Sequence, residues 1–268
     1  MCPSRRFLLT LALLPCAALV GCAGVALAPN AEERQALAPT GSLRVGVYPG
    51  SPTSMVTDRT TGEATGVTYD LGKSLAARLG VKFEPVEMAT LAEVLAAVKA
   101  GTIDFTGTNA SPARAAEMDF TATMIEIELG YLVLASSPAL TVQDIDRRGT
   151  RVGVTRGSTS QTTLPRILKD ASVIPVPTLK IAGQMLSARD IDVFATNKVL
   201  LFELADGIQG SRILDGRWGV EQWAFAIPKG REKGLRYVRQ FADEAQTDGL
   251  LKRAVERAGL RGTVRPAP

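Results

Sequence analysis

From residue 43 onward, short apolar runs alternate with longer segments in which apolar residues recur at helical spacing. Short apolar runs bounded by turn signals are typical of buried strands, and recurrence every three or four residues is typical of amphipathic helices. The predicted strands are residues 43–47, 81–86, 103–106, 151–154, 173–176 and 191–194. The predicted helices are residues 69–79, 91–100, 158–168, 181–188, 198–205, 235–245 and 250–258. This alternation predicts an α/β protein with a mostly parallel, covered sheet.

Local signals mark the ends of several helices. Gly80 and Gly101 each follow an apolar periodic segment and are expected to stop the helix, because glycine readily adopts the left-handed conformation of a helix end. Thr90 and Glu93 have the spacing of a capping box, which satisfies two backbone donors at a helix start. The second helix of the body is therefore expected to begin directly after Thr90.

The helices and strands form two successive series. A long apolar run at residues 127–135 leaves the first series, and a second series of strands and helices starts at residue 151. Each series is too small to form a well-filled hydrophobic core by itself, so the last two helices are expected to return and pack against the first lobe. No internal repeat is evident in the folded body. The predicted domains are a signal peptide (1–21), a tether (22–41), a first lobe (42–134 and 224–262) and a second lobe (135–223).

The N-terminal segment has the pattern of an export signal. Arg5 and Arg6 precede an apolar run, and small residues follow. Residues 19–22, Leu-Val-Gly-Cys, resemble a bacterial lipobox, which predicts acylation of Cys22 as the new N-terminus. Three alternatives stay open: a cut after Ala28 that releases a soluble periplasmic protein, a membrane anchor over residues 7–28, and export by the twin-arginine route.

Composition excludes several function classes. The chain has 268 residues, of which 46% are hydrophobic, and it has no histidine, which removes Ser-His-Asp triads, imidazole bases and the common zinc sites. All three cysteines, Cys2, Cys16 and Cys22, precede the folded body, so we expect no disulfide, metal site or cofactor. Without Arg5 and Arg6, the chain has 29 basic and 27 acidic residues, so its net charge is small. Aromatic residues make up only 5%, and both observations argue against nucleic-acid binding.

Two loops that follow predicted strands are candidates for a ligand site, since ligands of open α/β sheets bind beyond the carboxyl ends of the strands. The first loop is residues 107–114, in which Ser111 is a good N-cap and Pro112 suits the first helical position. Arg114 then lies at the third helical position, where a cation is unfavourable unless it turns into water or meets an anion. The second loop is residues 155–160, Thr-Arg-Gly-Ser-Thr-Ser, which either binds an anion or simply caps a helix.

The order of several short motifs resembles a known family. These are Gly66-x-x-x-Asp70, Gly101-Thr102-Ile103-Asp104, Ser111-x-x-Arg114, Asp119-Phe120-Thr121, Arg151-Val152-Gly153-Val154-x-x-Gly157-Ser158 and Asp192-Val193-Phe194. Together they resemble the polar amino-acid family of bacterial extracellular solute-binding proteins, over about residues 42–258. The resemblance implies a two-lobed type II periplasmic binding protein fold, with a hinge of two crossover strands at residues 127–135 and 222–227.

The resemblance also implies roles for single residues. Arg114 matches the arginine that grips the ligand's α-carboxylate, with Gly107 and Asn109 before it. The second-lobe residues that complete this grip match Thr155, Ser158 and Thr159. Relatives that bind α-amino acids commonly place carboxylates against the ligand's ammonium at two positions that are Tyr48 and Asn197 here. A buried ammonium without an anionic partner is costly, so a zwitterionic ligand is disfavoured on this pattern.

The sequence therefore predicts a non-enzymatic, monomeric periplasmic receptor, tethered by lipid, that delivers a small anionic or polar, amino-acid-like solute to the permease of an ABC importer. One alternative is an enzyme on the same fold that resembles periplasmic cyclohexadienyl dehydratases. Dehydration needs an acid or base in the cleft, and none of the eight predicted cleft residues is a carboxylate or imidazole. Another alternative is a ligand-sensing domain for a membrane kinase.

Overall fold

The computed structural model describes residues 28–58 and 60–264. The strands are β1 (Ser42–Val47), β2 (Val56–Thr57), β3 (Ala64–Thr65), β4 (Lys82–Glu87), β5 (Thr106–Asn109), β6 (Met118–Phe120), β7 (Ile125–Leu134), β8 (Arg151–Thr155), β9 (Ser172–Val176), β10 (Val193–Asn197), β11 (Ser211–Ile213), β12 (Gly219–Pro228) and β13 (Thr263–Val264). The helices are α1 (Ala31–Leu37), α2 (Val67–Leu79), α3 (Leu91–Ala100), α4 (Pro112–Ala115), α5 (Thr159–Ile167), α6 (Leu179–Ser187), α7 (Lys198–Gly207), α8 (Glu232–Thr247) and α9 (Leu250–Arg257). The predicted export signal and Cys22 lie outside the described residues.

The first lobe is built around the parallel pair β1 and β4, against which α2 and α3 pack. Helices α8 and α9 return to this lobe and complete its main hydrophobic core, as the sequence predicts. Thr90 accepts a hydrogen bond from the Glu93 backbone at the start of α3, but the Glu93 carboxylate bonds the Ala89 nitrogen instead of Thr90. The predicted capping box is therefore only half formed.

The strand predicted at residues 103–106 begins later, at β5. The backbone nitrogens of Asp104 and Phe105 both bond the carbonyl of Arg44, so this segment approaches β1 without continuing as a regular strand. Ile103 and Phe105 are fully buried. An apolar run shows that a segment is buried, but it does not show whether that segment keeps a regular ladder, which explains the shifted boundary.

The second lobe has the parallel order β10, β8, β9 in its sheet, with α5, α6 and α7 packed around it. Its apolar side chains form two further buried clusters. The long strands β7 and β12 pair antiparallel with each other and join the lobes. In addition, β12 pairs with β5 of the first lobe, and β7 pairs with β10 of the second lobe. The sheet is thus mixed, because the two crossover strands add antiparallel pairs to the parallel ladders that the sequence predicts.

The change from one lobe to the other occurs within β7. Ile125 and Ile127 lie in the core of the first lobe, whereas Tyr131 and Val133 lie in a cluster of the second. The predicted boundary at residue 134 is therefore several residues late. Both halves of β7 bury apolar side chains, although Glu126 and Glu128 interrupt the first half, so the strand has no local signal of where its neighbours change.

Residues 31–37 are not a tether. They form α1, which begins with a complete capping box between Asn30 and Glu33 and packs against α8. Leu37 is 0% exposed and belongs to the main core of the first lobe. The prediction of a tether over residues 22–41 is wrong for this segment, because a single apolar anchor among polar residues leaves almost no periodic signal.

The two lobes repeat one local arrangement that the sequence analysis does not detect. At the start of β1, the Arg44 side chain and backbone nitrogen bond the carboxylate of Asp104. At the start of β8, Arg151 bonds Asp192 through the same three nitrogens. Asp104 is 0% exposed and also pairs with Arg231, so it ties the first lobe to the chain just before α8.

None of the helices within the described ranges is long and apolar enough to cross a membrane. This finding concerns residues 28–58 and 60–264 alone. Within the same ranges, no cluster of three or more Cys, Asp or Glu side chains is arranged to hold a metal ion.

Candidate ligand-binding cleft

A cavity of about 370 Å³ lies between the two lobes. The first lobe contributes the chain after β1 and the segment from β5 to α4, and the second contributes the starts of α5, α6 and α7. All eight residues singled out in the sequence line it: Tyr48, Gly107, Asn109, Arg114, Thr155, Ser158, Thr159 and Asn197. The structure therefore brings together in one cleft residues that are up to 149 positions apart in the chain.

Arg114 turns into this cleft. Ser111 caps the short helix α4 by accepting a hydrogen bond from the Arg114 backbone, and Pro112 occupies its first position. The guanidinium donates from Nη1 to the Thr108 hydroxyl (2.8 Å) and to the Asn109 carbonyl (3.2 Å). Nη2 donates to the Gly157 carbonyl of the other lobe (3.0 Å). Arg114 is thus held by protein oxygens, and the alternative of a side chain turned into water is wrong.

Burial lowers the pKa of Arg114, since desolvation disfavours the charged form. The negative charge of Glu221 and the nearby Tyr48 act in the opposite direction and raise that pKa. Arginine is the most basic side chain, so Arg114 stays charged at ordinary pH despite this lowering. The cleft therefore contains a partly desolvated cation with N–H groups on Nε and Nη2 that do not donate to any oxygen of residues 28–58 and 60–264.

The second loop is a helix cap that also faces the cavity. The Ser158 hydroxyl accepts from the Gln161 backbone, and the Gly157 nitrogen donates to the Gln161 side chain (2.6 Å). Gly157 has a φ of +76°, which glycine adopts without strain. Ser158 is therefore the N-cap of α5: its hydroxyl oxygen accepts this bond, which leaves the O–H hydrogen unused by the cap. The hydrogen bonds of this loop show a helix cap, and anion binding by the same loop stays a prediction.

In contrast to Ser158, Thr155 has a hydroxyl that makes no hydrogen bond within the described residues. Its Oγ1 is buried, lies beside the cavity and has no hydrogen-bond partner, a condition shared among the described side chains only with the hydroxyl of Ser211. Buried hydroxyls are nearly always bonded, because leaving one unpaired costs about 1 to 3 kcal/mol. The Thr155 hydroxyl is therefore available to a polar group in the cleft.

Asn109 and Gly107 shape the first-lobe wall. The Asn109 side chain accepts from the Gln222 backbone and donates to the Thr159 hydroxyl of the second lobe (2.8 Å for each bond). Gly107 lies against the buried ring of Trp223, which also lines the cavity, and a Cβ at residue 107 would be 2.0 Å from that ring. Gly107 is thus required by the packing of Trp223, and Asn109 links the lobes.

Tyr48 closes one side of the cleft next to Arg114. Its backbone nitrogen donates to Ser54, and its hydroxyl donates weakly to Ser51 at 3.4 Å. Burial raises the pKa of Tyr48, so the phenol stays neutral at ordinary pH. The side chain offers a polar, uncharged surface to a ligand.

The cavity also contains a carboxylate that the sequence analysis missed. Glu221, near the start of β12, lines the cavity and accepts a hydrogen bond from Asn197 Nδ2 (3.0 Å). Asn197 is itself the N-cap of α7, because its Oδ1 accepts from the Leu200 backbone. The expectation of a cleft without a carboxylate is therefore wrong. No local motif marks Glu221; its position follows from the register of β12 against β7.

This arrangement places the Arg114 guanidinium and the Glu221 carboxylate in the same cavity, together with the unpartnered hydroxyl of Thr155, between lobes that already touch. Such a site is suited to a small solute that carries a carboxylate and further polar groups. The other cationic side chain that lines the cavity, Lys180, is exposed at the start of α6.

The chain matches the family model of bacterial extracellular solute-binding proteins, family 3, over residues 43–259. It therefore belongs to this family, whose solved members with the same fold are type II periplasmic binding proteins. A search of the curated proteins finds no match.

Solved structures support the same assignment. An ancestral arginine-binding protein bound to arginine is 26% identical, with a TM-score of 0.72 over 81% of this chain and 97% of that one. The ancestral amino acid-binding protein AncCDT-1, a precursor of cyclohexadienyl dehydratase, is 25% identical, with a TM-score of 0.73 over 84% and 98% of the two chains. An amino acid ABC transporter substrate-binding protein of Streptococcus pneumoniae bound to L-arginine is 22% identical, with a TM-score of 0.75 over 84% and 97%, and shows the shared fold.

Proposed function

We propose that this protein is the periplasmic receptor of an ABC importer and captures a small, carboxylate-bearing, amino-acid-like solute between its lobes. The observation that carries this proposal is Arg114, a partly desolvated cation in the cavity between the lobes. A carboxylate on its remaining N–H groups offsets the cost of burying that charge, and a guanidinium fork matches a carboxylate in shape. Family membership and neighbours that bind amino acids support this assignment.

Capture of the solute is proposed to proceed by closure of the lobes about β7 and β12. Two strands that join otherwise separate lobes form a natural hinge. The bonds from Asn109 to Thr159 and from Arg114 to Gly157 join the lobes around the cavity. A permease of the inner membrane would receive the closed form, and acylation of Cys22 would keep the receptor at the membrane.

One observation favours a second candidate, an enzyme related to cyclohexadienyl dehydratases. Glu221 supplies a carboxylate in the cleft, and a positioned carboxylic acid is one of the groups that can transfer a proton to a leaving group. AncCDT-1, a precursor of such an enzyme, is among the similar structures. Incubation of the protein with prephenate or arogenate decides between the two candidates: consumption of either compound with multiple turnovers supports the enzyme, and unchanged substrate supports the receptor.

A thermal-shift screen tests the receptor. The screen contains amino acids, other organic acids and inorganic oxyanions, since a ligand of the native state raises stability by RT ln(1 + [L]/Kd), or about 2.7 kcal/mol at a hundredfold excess over Kd. We expect a carboxylate-bearing compound to raise the Tm of the wild type and to have little effect on Arg114→Ala. The proposal fails if no carboxylate in the screen raises the Tm, or if the Arg114→Ala variant responds as strongly as the wild type.

A further inference from the structure

Residues 260–264, which follow α9, connect the first lobe to the edge of β7, and we call this segment the hinge strap. Its first residue, Leu260, packs against the main core of the first lobe. Its last two residues form β13, which pairs antiparallel with β7 opposite Ile127 and Glu126. Only two residues lie between these anchors, and a residue spans at most about 3.6 Å, so the strap has little freedom to lengthen.

The side chain between the two anchors that contacts the second lobe is that of Arg261. Its Nη2 lies 2.5 Å from a carboxylate oxygen of Asp206 and 3.4 Å from one of Glu203, both on α7. Its guanidinium carbon lies 4.9 Å from the centre of the Phe202 ring, which is the geometry of a cation–π contact. One side chain thus joins the strap to α7 through three different residues.

Gly262 packs directly on the same helix. Its φ is +75°, in the region that favours glycine. A Cβ at residue 262 would be 2.6 Å from the Cβ of Lys198 and 3.1 Å from the ring of Phe202, and both distances are shorter than a normal contact between carbon atoms. The backbone of the strap therefore lies against α7, and a larger residue at this position would push the two apart.

Helix α7 begins in the wall of the cavity and lies at the boundary between the lobes. Its N-cap, Asn197, lines the cavity. Val199 belongs to the main core of the first lobe, whereas Leu201 belongs to a cluster of the second. Strand β10, which leads directly into α7, pairs with the second-lobe half of β7 as far as Leu129. Rotation of one lobe against the other therefore changes the contacts of α7 with the first lobe.

We propose that the hinge strap restrains the hinge: by binding α7 to the first lobe, it favours the closed arrangement of the lobes and sets the ligand affinity from outside the cleft. The inference rests on the proposed receptor function and adds a regulatory segment to it. Opening about β7 and β12 moves α7 away from the first lobe, and the short strap, held at Leu260, does not follow. The ion pairs of Arg261 are then made only while the lobes touch, and an interaction made in one of two states shifts the equilibrium toward that state.

Variants of the strap test this inference without changing a residue of the cavity. Arg261→Ala removes the ion pairs to α7. Its control is Arg257→Ala, an arginine of similar exposure on α9 whose ion-pair partners, Glu63 and Asp70, both lie in the first lobe. Titration calorimetry with each of the twenty common L-amino acids measures affinity, and small-angle scattering without any amino acid measures the compaction of the free protein. Thermal unfolding measures the stability of each variant.

We expect Arg261→Ala to bind about two- to fivefold more weakly than the wild type, as for the loss of exposed ion pairs and a cation–π contact, and to be less compact when free. Arg257→Ala should match the wild type in both measurements, although the two variants should have similar Tm values. Gly262→Ala should act in the same direction as Arg261→Ala. The difference in affinity between Arg261→Ala and the wild type should shrink in high salt, which screens exposed charges.

A charge exchange separates this specific contact from a general loss of packing. Arg261→Glu should weaken binding more than Arg261→Ala does, because the new carboxylate repels those of Asp206 and Glu203. Adding Asp206→Arg to Arg261→Glu restores an ion pair of reversed polarity, so the double variant should regain part of the affinity and of the compaction.

The outcomes separate this inference from the function on which it rests. Equal compaction of the free wild type and Arg261→Glu overturns the role of the strap, whether or not any amino acid binds. Equal affinity of Arg261→Ala and the wild type, or an equal loss in Arg257→Ala, also overturns it and leaves the receptor standing. If no amino acid binds the wild type but Arg261→Glu is less compact, the proposed receptor function fails and the strap is supported as a restraint on the hinge.

Discussion

Asn109 and Thr159 meet across the cleft, with Nδ2 of the asparagine 2.8 Å from the hydroxyl oxygen of the threonine. One residue ends β5 in the first lobe and the other begins α5 in the second. The Asn109 carbonyl also accepts from Arg114, whose Nη2 donates to the carbonyl of Gly157, two residues before Thr159. Asn109, Arg114 and Thr159 thus contact the other lobe and also line the cavity, so the proposed closure of the lobes should be coupled to ligand binding.

Removing the Thr159 hydroxyl should weaken the closed state. Thr159→Val keeps the shape of the side chain and removes one neutral hydrogen bond, worth about 0.5 to 1.5 kcal/mol, so ligand affinity should fall about two- to tenfold. The matched control is Thr162→Val on the exposed side of α5, where the hydroxyl bonds only the Thr159 carbonyl. Titration calorimetry measures affinity, and small-angle scattering measures compaction. Equal affinity of Thr159→Val and wild type would contradict the coupling.

Arg114 should dominate the affinity for the ligand. Truncating one partner of a desolvated charge pair costs about 2 to 5 kcal/mol of binding, so we expect this loss in Arg114→Ala. Arg114→Lys should recover only part of it, because an ammonium does not reproduce the planar fork. The control is Arg156→Ala, an exposed arginine within the second loop, for which a smaller loss is expected. Wild-type affinity in Arg114→Ala, measured by calorimetry with the ligand from the screen, would refute the site.

The N-terminal helix α1 should contribute to the stability of the first lobe. Leu37 is 0% exposed within the main core, so Leu37→Ala should lower the free energy of unfolding by about 2 to 5 kcal/mol through lost burial and a cavity. Leu140→Ala is the control, since Leu140 is 70% exposed and its loss should change stability by less than about 0.5 kcal/mol. Urea denaturation measures both. Equal stability of the two variants would mean that α1 does not pack in solution as described.

Acid should weaken the second lobe through Asp192. Hydrogen bonds from Arg151 lower the pKa of Asp192 below its ordinary value. A lowered pKa in the folded state gives a stabilisation that is complete above the unfolded value of about 3.9 and is lost as the pH falls through the folded value. The Asp192 side chain is 41% exposed, so solvent limits the effect to about 1 kcal/mol or less.

Asp192→Asn should therefore be less stable than the wild type at neutral pH and should lose less stability on acidification through the range below about pH 4. The control is Asp243→Asn, an exposed residue of α8 for which no ion pair occurs in the described structure. Urea midpoints measured across this pH range give the comparison. A parallel pH dependence of Asp192→Asn and wild type would show that the Arg151 pair does not contribute.

Cys22 should be the site of lipid attachment. This residue lies outside the described structure, and the prediction rests on residues 19–22 of the sequence. Metabolic labelling with a fatty-acid probe should mark the wild type and Cys16→Ser but not Cys22→Ser, and only the labelled proteins should sediment with membranes. Labelling that persists in Cys22→Ser would favour the cut after Ala28 and a soluble periplasmic form.

Local features of this protein follow from the sequence alone. The alternation of the main strands and helices after residue 42, the ends of α2 and α3 at Gly80 and Gly101, and the cap of α4 at Ser111 are all determined by residues within one or two turns of each other. The signals are strong because hydrophobic periodicity and capping act over short distances. The family motifs extended this local information to the cleft, and all eight residues chosen from them line it.

The pairings between distant residues were decided only by the tertiary structure. Glu221 enters the cavity because β12 pairs with β7 in one register, and a shift of one residue would turn its side chain to the other face. Leu37 is buried because α8 returns to the first lobe and packs against α1. The repeated Arg–Asp pairs form because the fold places Asp104 beside β1 and Asp192 beside β8. The sequence determined which segments form, through short-range backbone and hydrophobic preferences. Which charges face each other across the cleft depended on how those segments pack, and short-range patterns carry no record of that packing.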